Sequence, residues 1–234
     1  MAGRGKFIAL EGIDGSGKRT QIDLLSRALQ QRGIEHVKMS FPRYEGFFGR
    51  MVARYLNGEF GTLAQVDPHF SALLYAGDRL EHKQLLEEHL GQGKMILTDR
   101  YIGSNLAHQG ARVTNRKMAQ FLHWLEKLEY EVYGLPREDL VIYLRVPSVE
   151  ARRLVGQKGA RQYTRRRHDL HEASLRHLKN AAKVYDRLAK RRNWTVVECT
   201  ERGHELLSPE MIHRRILDIL DARILASLRD SEEF

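Results

Sequence analysis

The sequence predicts a doubly wound α/β fold, a five-stranded parallel sheet flanked by helices and topped by a helical lid, on three observations. Short apolar runs at residues 7–10, 36–41, 95–98, 140–146 and 195–199 alternate with segments of helical periodicity, the pattern of strands buried on both faces. The first run passes directly into a glycine-rich turn and a lysine. The length, 234 residues, suits one well-buried domain spanning 1–234 and is short for two.

The elements follow in order. Phe7, Ile8, Ala9 and Leu10 read as a buried strand, and Gly12, Gly15 and Gly17 let the chain behind it curl with its N–H groups turned inward. Lys18 then stands at the start of a helix, whose positive end adds to the lysine charge. Gly12 to Lys18 meets the phosphate-cradle pattern G-x-x-x-x-G-K-[ST] except at its last position, where Arg19 replaces the hydroxyl residue that normally ligates magnesium. Thr20 is one position late, and successive helical residues point about 100° apart. Helical segments are expected at 20–32, 47–57, 68–92, 114–133, 148–155, 170–192 and 209–227. From the second strand comes Phe41-Pro42-Arg43-Tyr44, which stiffens a turn and offers a guanidinium and a phenol to an anion, or is a plain surface pair. The third strand ends in Asp99-Arg100, at the carboxyl edge where parallel sheets place ligands. Asp99 there either holds a hydrated magnesium or caps the next helix, while Arg100 is placed to grip a second phosphate. The stretch 156–168, with its Gly, Lys and Arg residues and no apolar stripe, reads as an exposed loop acting as a lid over about 156–169.

Composition excludes other classes. A single cysteine, Cys199, rules out an internal disulfide framework or a cysteine-rich zinc site and suits a reducing compartment. No run approaches membrane-spanning length and Phe7–Leu10 is too short for a signal-peptide core, so a soluble, cytoplasmic protein with no membrane partner is expected. The net charge of +9 is uneven, since residues 145–192 hold 15 Lys and Arg against 4 Asp and Glu. That block can meet nucleic acid, embrace the phosphates of a nucleotide, or form solvated helix surface.

Taken together, Glu11-Gly-Ile-Asp-Gly-Ser-Gly-Lys18, Phe41-Pro-Arg-Tyr44, Gly58-Glu-Phe-Gly61, Asp78-Arg79, Asp99-Arg-Tyr-Ile-Gly-Ser-Asn-Leu-Ala-His-Gln-Gly110 and Gly134-Leu-Pro-Arg-Glu-Asp-Leu-Val-Ile-Tyr-Leu144 resemble the thymidylate kinase family, in order and with matching intervals from residue 6 to about 200. The resemblance implies a P-loop nucleoside monophosphate kinase fold and ATP-dependent phosphorylation of thymidine 5′-monophosphate (dTMP) to the diphosphate. It implies ATP on Gly12, Ile13, Asp14, Gly15, Ser16, Gly17, Lys18, Arg19 and Thr20, and magnesium held with the help of Asp14 and Asp99. It puts Phe41, Arg43, Tyr44 and Arg100 around the acceptor phosphate, and Asp14 toward the sugar 3′-hydroxyl.

Tyr75 and Arg79, four apart on one helix face, would stack on thymine and donate to a base oxygen; Ser104, Asn105, His108 and Gln109 would line the base edge and sugar. Outside that resemblance, Tyr75 is an ordinary core aromatic and the polar set is solvated. Lys18, Arg100 and Asp14, with Arg161 and Arg167 from the lid, would be catalytic, and Asp169 and Glu172 either anchor the lid or cap a helix. Three departures stand out: Arg19, His108 where the family usually has Tyr or Phe, and Arg145 where it commonly has Asp. Family members are usually homodimers, and the same is expected here. The competing expectations are a related monophosphate kinase of altered base selectivity and a nucleotide-binding pseudo-kinase regulator. A nucleic-acid-binding role for the basic stretch is the least supported reading, because its cations mingle with a lid-like loop and helix and it carries no aromatic stacking platform; no specific nucleic-acid partner is expected.

Overall fold

The computed structural model describes residues 4–156, 175–201 and 205–226. Five parallel strands, β1 (Phe7–Glu11), β2 (His36–Ser40), β3 (Met95–Asp99), β4 (Leu140–Arg145) and β5 (Trp194–Glu198), form a sheet in the order β2-β3-β1-β4-β5. β1 is central, with Phe7 opposite Ile96 on one side and Ile8 opposite Leu140 on the other. Phe7 to Leu10, Ile96, Leu97, Leu140, Ile142 and Leu144 are all inaccessible, which is why these runs are continuously apolar rather than alternating.

Helices cover both faces, and their burial follows the 3.6-residue period. α1 (Lys18–Gln31) buries Ile22, Leu25 and Leu29; α2 (Phe47–Leu56) buries Val52, Tyr55 and Leu56. α3 (Pro68–Glu81) starts where Asp67 accepts a hydrogen bond from the His69 N–H at 2.7 Å, with Pro68 in the first turn. α4 (Lys83–Gly91), α5 (Ile102–Gly110), α6 (Asn115–Glu126), α7 (Ser148–Gly156), α8 (Leu175–Leu188) and α9 (Pro209–Leu220) complete the layers. The last turns after α6 and α9, Lys127–Val132 and Asp221–Leu225, widen to π-helical geometry.

Two local expectations are corrected. The segment 68–92 is two helices, because the chain breaks at His82 (φ −109°, ψ 8°), whose ring bonds back to the Asp78 carbonyl at 2.7 Å. A short antiparallel pair, β6 (Thr200–Glu201) and β7 (Glu205–Leu206), follows β5 where no strand was expected. The lid expectation, with Arg161, Arg167, Asp169 and Glu172, falls outside the described residues, apart from Gly156.

The loops after β1, β2 and β3 open at the same carboxyl edge of the sheet, so the site is built there. A second apolar cluster, Val52, Tyr55, Leu56, Val66 and Leu74 packed against Tyr44, Phe48 and Tyr75, braces α2 on α3 beside it.

Candidate active site

The loop Gly12–Lys18 owes its shape to glycine. Gly12 (φ +149°) and Gly15 (φ +86°) occupy backbone conformations that side chains disfavour. A Cβ would also lie 2.8 Å from the Leu144 carbonyl at Gly12 and 2.1 Å from the Ala151 carbonyl at Gly15. The loop is thus pressed against β4 and α7. Ile13 and Ser16 are buried beneath it, and Lys18 folds back over it, its Nζ donating to the carbonyls of Gly12 (3.0 Å) and Ile13 (3.1 Å). Burial first, and the Arg100 charge second, lower the Lys18 ammonium to about 8. Arg19 and Thr20 are exposed on the first turn of α1, and both border the same cleft.

Arg100 follows β3 with φ +70°, the sole non-glycine residue at positive φ among those described. Its guanidinium donates to Asp14 Oδ1 at 2.6 Å, Ser104 Oγ at 2.9 Å and the Gly12 carbonyl at 3.2 Å, which ties the third strand to the phosphate loop. What holds this backbone is Glu11, fully buried at the end of β1. It accepts from the N–H of Tyr101 (2.8 Å) and of Ser104 (2.9 Å), from Ser104 Oγ (2.6 Å) and from the Tyr185 hydroxyl (2.8 Å). Burial raises the Glu11 carboxyl above its ordinary range despite these donors. Asp99 carries a buried Oδ1 with no hydrogen-bond partner, on the wall of the cleft. An acceptor oxygen that is buried, unpaired and next to a phosphate loop fits a hard cation with oxygen ligands. Among the described residues no group of three metal-ligating side chains exists, so such a cation must draw most of its ligands from elsewhere.

The cleft has a volume of about 1200 Å³ and runs from this loop to α3 and α5. Asp14, Lys18, Phe41, Arg43, Tyr44, Tyr75, Arg79, Asp99, Arg100, Ser104, Asn105, His108 and Gln109 all line it. Arg43 is held by its own N–H, which meets both oxygens of Asp78 at 3.0 and 3.1 Å. Burial pushes that carboxyl up to about 6. Tyr75 stands edge-on to Tyr55 at 6.3 Å between ring centres.

The far end is set by a buried ion pair. Arg79 donates through Nε and an Nη2 proton to Glu129 at 2.6 and 2.7 Å, and both side chains are almost inaccessible. Asn105 Nδ2 donates to Glu129 Oε1 (2.8 Å) and to the Ala72 carbonyl (3.0 Å), which fixes its amide and leaves Oδ1 buried without a partner. Gln109 Oε1 accepts from Ser71 (2.8 Å) and Arg112 (2.8 Å), which leaves Nε2 without one. Both residues line the cleft, and each keeps one buried polar atom unpaired, an acceptor on Asn105 and a donor on Gln109.

Beside them, His108 and His177 meet ring to ring, Nδ1 to Nε2 at 3.3 Å. Burial holds His177 at about 4 and His108 well below the usual imidazole range, so both are neutral, and His108 Nε2 faces an Arg100 N–H at 3.5 Å.

Glu11, Glu129, Tyr185 and His177 escaped the sequence reading as site residues. Glu11 had one available signal, a charged residue at the end of an otherwise apolar strand. Arg145, at the end of β4, bridges Asp186 (2.9 Å) and Glu198 (2.5 Å) across α8 and β5.

A family model for thymidylate kinase matches residues 10–210. A probable thymidylate kinase of Pyrobaculum aerophilum is 32% identical over 213 residues, covering 89% of this chain and 96% of its own. A probable thymidylate kinase of Pyrococcus horikoshii is 36% identical over 158 residues, 67% of this chain and 72% of its own. The structure of thymidylate kinase from Candida albicans superposes with a TM-score of 0.72 at 22% identity over 94% of this chain and 92% of that one, a likeness of fold.

Proposed function

The chain belongs to the thymidylate kinase family, and on that premise we infer that it transfers the terminal phosphoryl group of ATP to thymidine 5′-monophosphate in the cleft between the Gly12–Lys18 loop and the α3–α5 wall. The observation that carries the reading is the continuity of one cleft from a phosphate loop to a wall lined by Tyr75, Arg79, Asn105 and Gln109.

The donor phosphates rest on the N–H groups of Gly12 to Lys18 and on the start of α1, with the Lys18 ammonium leaving its carbonyl partners for phosphate oxygens. Arg100, with Arg43 and Tyr44, grips the acceptor phosphate, and the Phe41 ring closes that side. An oxygen of the acceptor phosphate then forms the new bond to phosphorus as the bond to the bridging oxygen of ADP breaks. Little covalent help is needed, so alignment and positive charge do the work. Because Arg100 is also bonded to Asp14 and to the loop carbonyl, the two phosphate sites are held in one rigid frame.

Magnesium would supply positive charge to neutralise the phosphates; the residues that would hold it are Asp99, through its unpaired Oδ1, and Asp14. Arg19 stands outside that arrangement, exposed and with no hydroxyl to offer.

Thymine presents an N3–H between two carbonyls. Asn105 Oδ1 accepts from N3–H, while Gln109 Nε2 and the remaining Nη1 protons of Arg79 donate to the flanking oxygens. Tyr75 supplies the stacking face. His108 lies toward the sugar, where a neutral ring smaller than tyrosine leaves more room. From the resemblance, Arg161 and Arg167 meet the transferring group from the lid.

The chain acts as one domain in the cytoplasm, where the buried free thiol of Cys199 is at home. It pairs as a homodimer through the apolar face of α2 and α3 that leaves Phe47 59%, Phe70 43% and Leu80 39% exposed. Among the described residues no helix is long and apolar enough to cross a membrane.

Incubation with ATP labelled on its terminal phosphate and dTMP tests the reading. Label in thymidine diphosphate is the expected result; label only in inorganic phosphate contradicts it.

A further inference from the structure

The basic stretch 145–192 resolves, in its described part, into one ordered feature. α8 packs His177, Leu178, Ala181, Val184, Tyr185 and Leu188 inward. On the opposite side Arg176, Lys179, Lys183, Arg187 and, just past the helix end, Lys190 are all exposed. At 100° per residue these five fall within an arc of about 80°, centred roughly opposite the buried face. No carboxylate or apolar side chain falls in that arc. The nearest acid, Asp186, is occupied by Arg145, and the neighbouring Arg191 is occupied by Glu126. Among the described residues none of the five forms a side-chain hydrogen bond or an ion pair.

A solvated helix face ordinarily alternates its charges, since opposite charges four apart stabilise a helix and like charges destabilise it by about 0.2–0.5 kcal/mol per pair. Here Lys179 with Lys183, and Lys183 with Arg187, are like pairs at that spacing, and Asp186, three residues from Lys183 and four from Lys190, is bonded instead to Arg145. The helix accepts this cost along its whole length of about 21 Å. The buried face of α8 carries that cost, and a ligand that relieved it would bring negative charge at repeated short intervals. A helix lying in a lipid surface would carry apolar residues beside the cations, and the stripe has none, so headgroup charge alone would hold it there. A specific protein partner would call for an aromatic or aliphatic anchor, also missing. A single strand would call for a stacking platform, and the stripe has no ring. A double-helical phosphate backbone needs only the cations.

We propose that the solvent face of α8 is a docking surface for the phosphate backbone of duplex nucleic acid, bound without regard to sequence. Five contacts give a slope of log affinity on log salt of about −4.5, a loss of about 500-fold between 50 and 200 mM salt.

The test is binding of a fluorescent 20-base-pair DNA by the full chain over that salt range, beside the triple variant K179Q/K183Q/R187Q. The variant is expected to bind more weakly at 50 mM, with its slope reduced to about −2, while its melting temperature and its turnover of dTMP at matched ionic strength stay those of the parent. Absence of binding by the parent at 50 mM salt, or equal affinity and slope in parent and variant, overturns the proposal. Polyglutamate that displaces the DNA at equal charge concentration also overturns it, in favour of an acidic polypeptide.

Discussion

Glu129→Ala is the perturbation that most sharply separates the structural from the recognition role of the Arg79 pair. It removes both acceptors of the Arg79 guanidinium, at 2.6 and 2.7 Å, and one of the two acceptors of Asn105 Nδ2, at 2.8 Å. Arg79 is 2% exposed, so its charge is left buried without its hydrogen-bonded counter-ion, with Asp78 only a neighbouring charge. Breaking such a pair from one side costs about 3–5 kcal/mol. At about 2–4 °C per kcal/mol for a domain of this size, the melting temperature should fall by about 6–20 °C. The double variant Arg79→Met with Glu129→Leu fills the same volume without charge and should recover most of that loss, because burying an ion pair is itself expensive. It cannot recover dTMP binding: a hydrogen bond from a charged donor is worth about 1.5–3 kcal/mol, so KM for dTMP should stay raised by about 10- to 150-fold. Calorimetric melts of the three proteins, with steady-state kinetics at saturating ATP, decide it. A single variant that melts within 2 °C of the parent rules out the structural role of the pair, and a double variant with unchanged KM for dTMP rules out Arg79 as a donor to the base.

Three further outcomes follow from the same geometry. Arg100→Lys keeps the charge but loses the fork that joins Asp14, Ser104 and the Gly12 carbonyl, so kcat/KM for dTMP should drop by about 100- to 1000-fold in initial-rate assays. Since Lys18 titrates at about 8 in the free site and holds phosphate only when protonated, kcat/KM for ATP should be flat below that pH and fall about tenfold per unit above it; a flat profile to pH 9.5 removes Lys18 from that role. Arg19→Thr restores a hydroxyl behind the loop lysine, so the magnesium concentration at half-maximal rate should decrease, and an unchanged requirement contradicts the account of Arg19.

The five strands and the phosphate loop were legible because each is encoded locally, by a short apolar run or by glycines within a few residues. Asp99 and Arg100 were legible for a related reason: a strand that ends in charge marks the sheet edge. What the sequence hides is pairing across long separations. Glu11 meets Ser104 and Tyr185 at separations of 93 and 174 residues, and Arg79 meets Glu129 at 50, so no periodicity connects them. The break at His82 was invisible because residues on both sides keep helical spacing, and only the return bond to the Asp78 carbonyl marks it. His177 was hidden by its setting, a lone histidine in a basic helix, until α8 packed it on His108. The basic block stayed open between nucleic acid, nucleotide phosphates and solvated surface, since composition does not say which way a cationic face points; in α8 it points to solvent.

One continuous cleft phosphorylates dTMP in this reading, and Asn105, Gln109 and Arg79 choose the base. The most direct measurement is ADP release from ATP and magnesium with dTMP, dUMP, dCMP, dGMP and UMP offered singly at matched concentrations. Turnover concentrated on dTMP, with dCMP and dGMP far behind, is the predicted result. An even profile across the five acceptors, or ATP binding without ADP release from any of them, would contradict it.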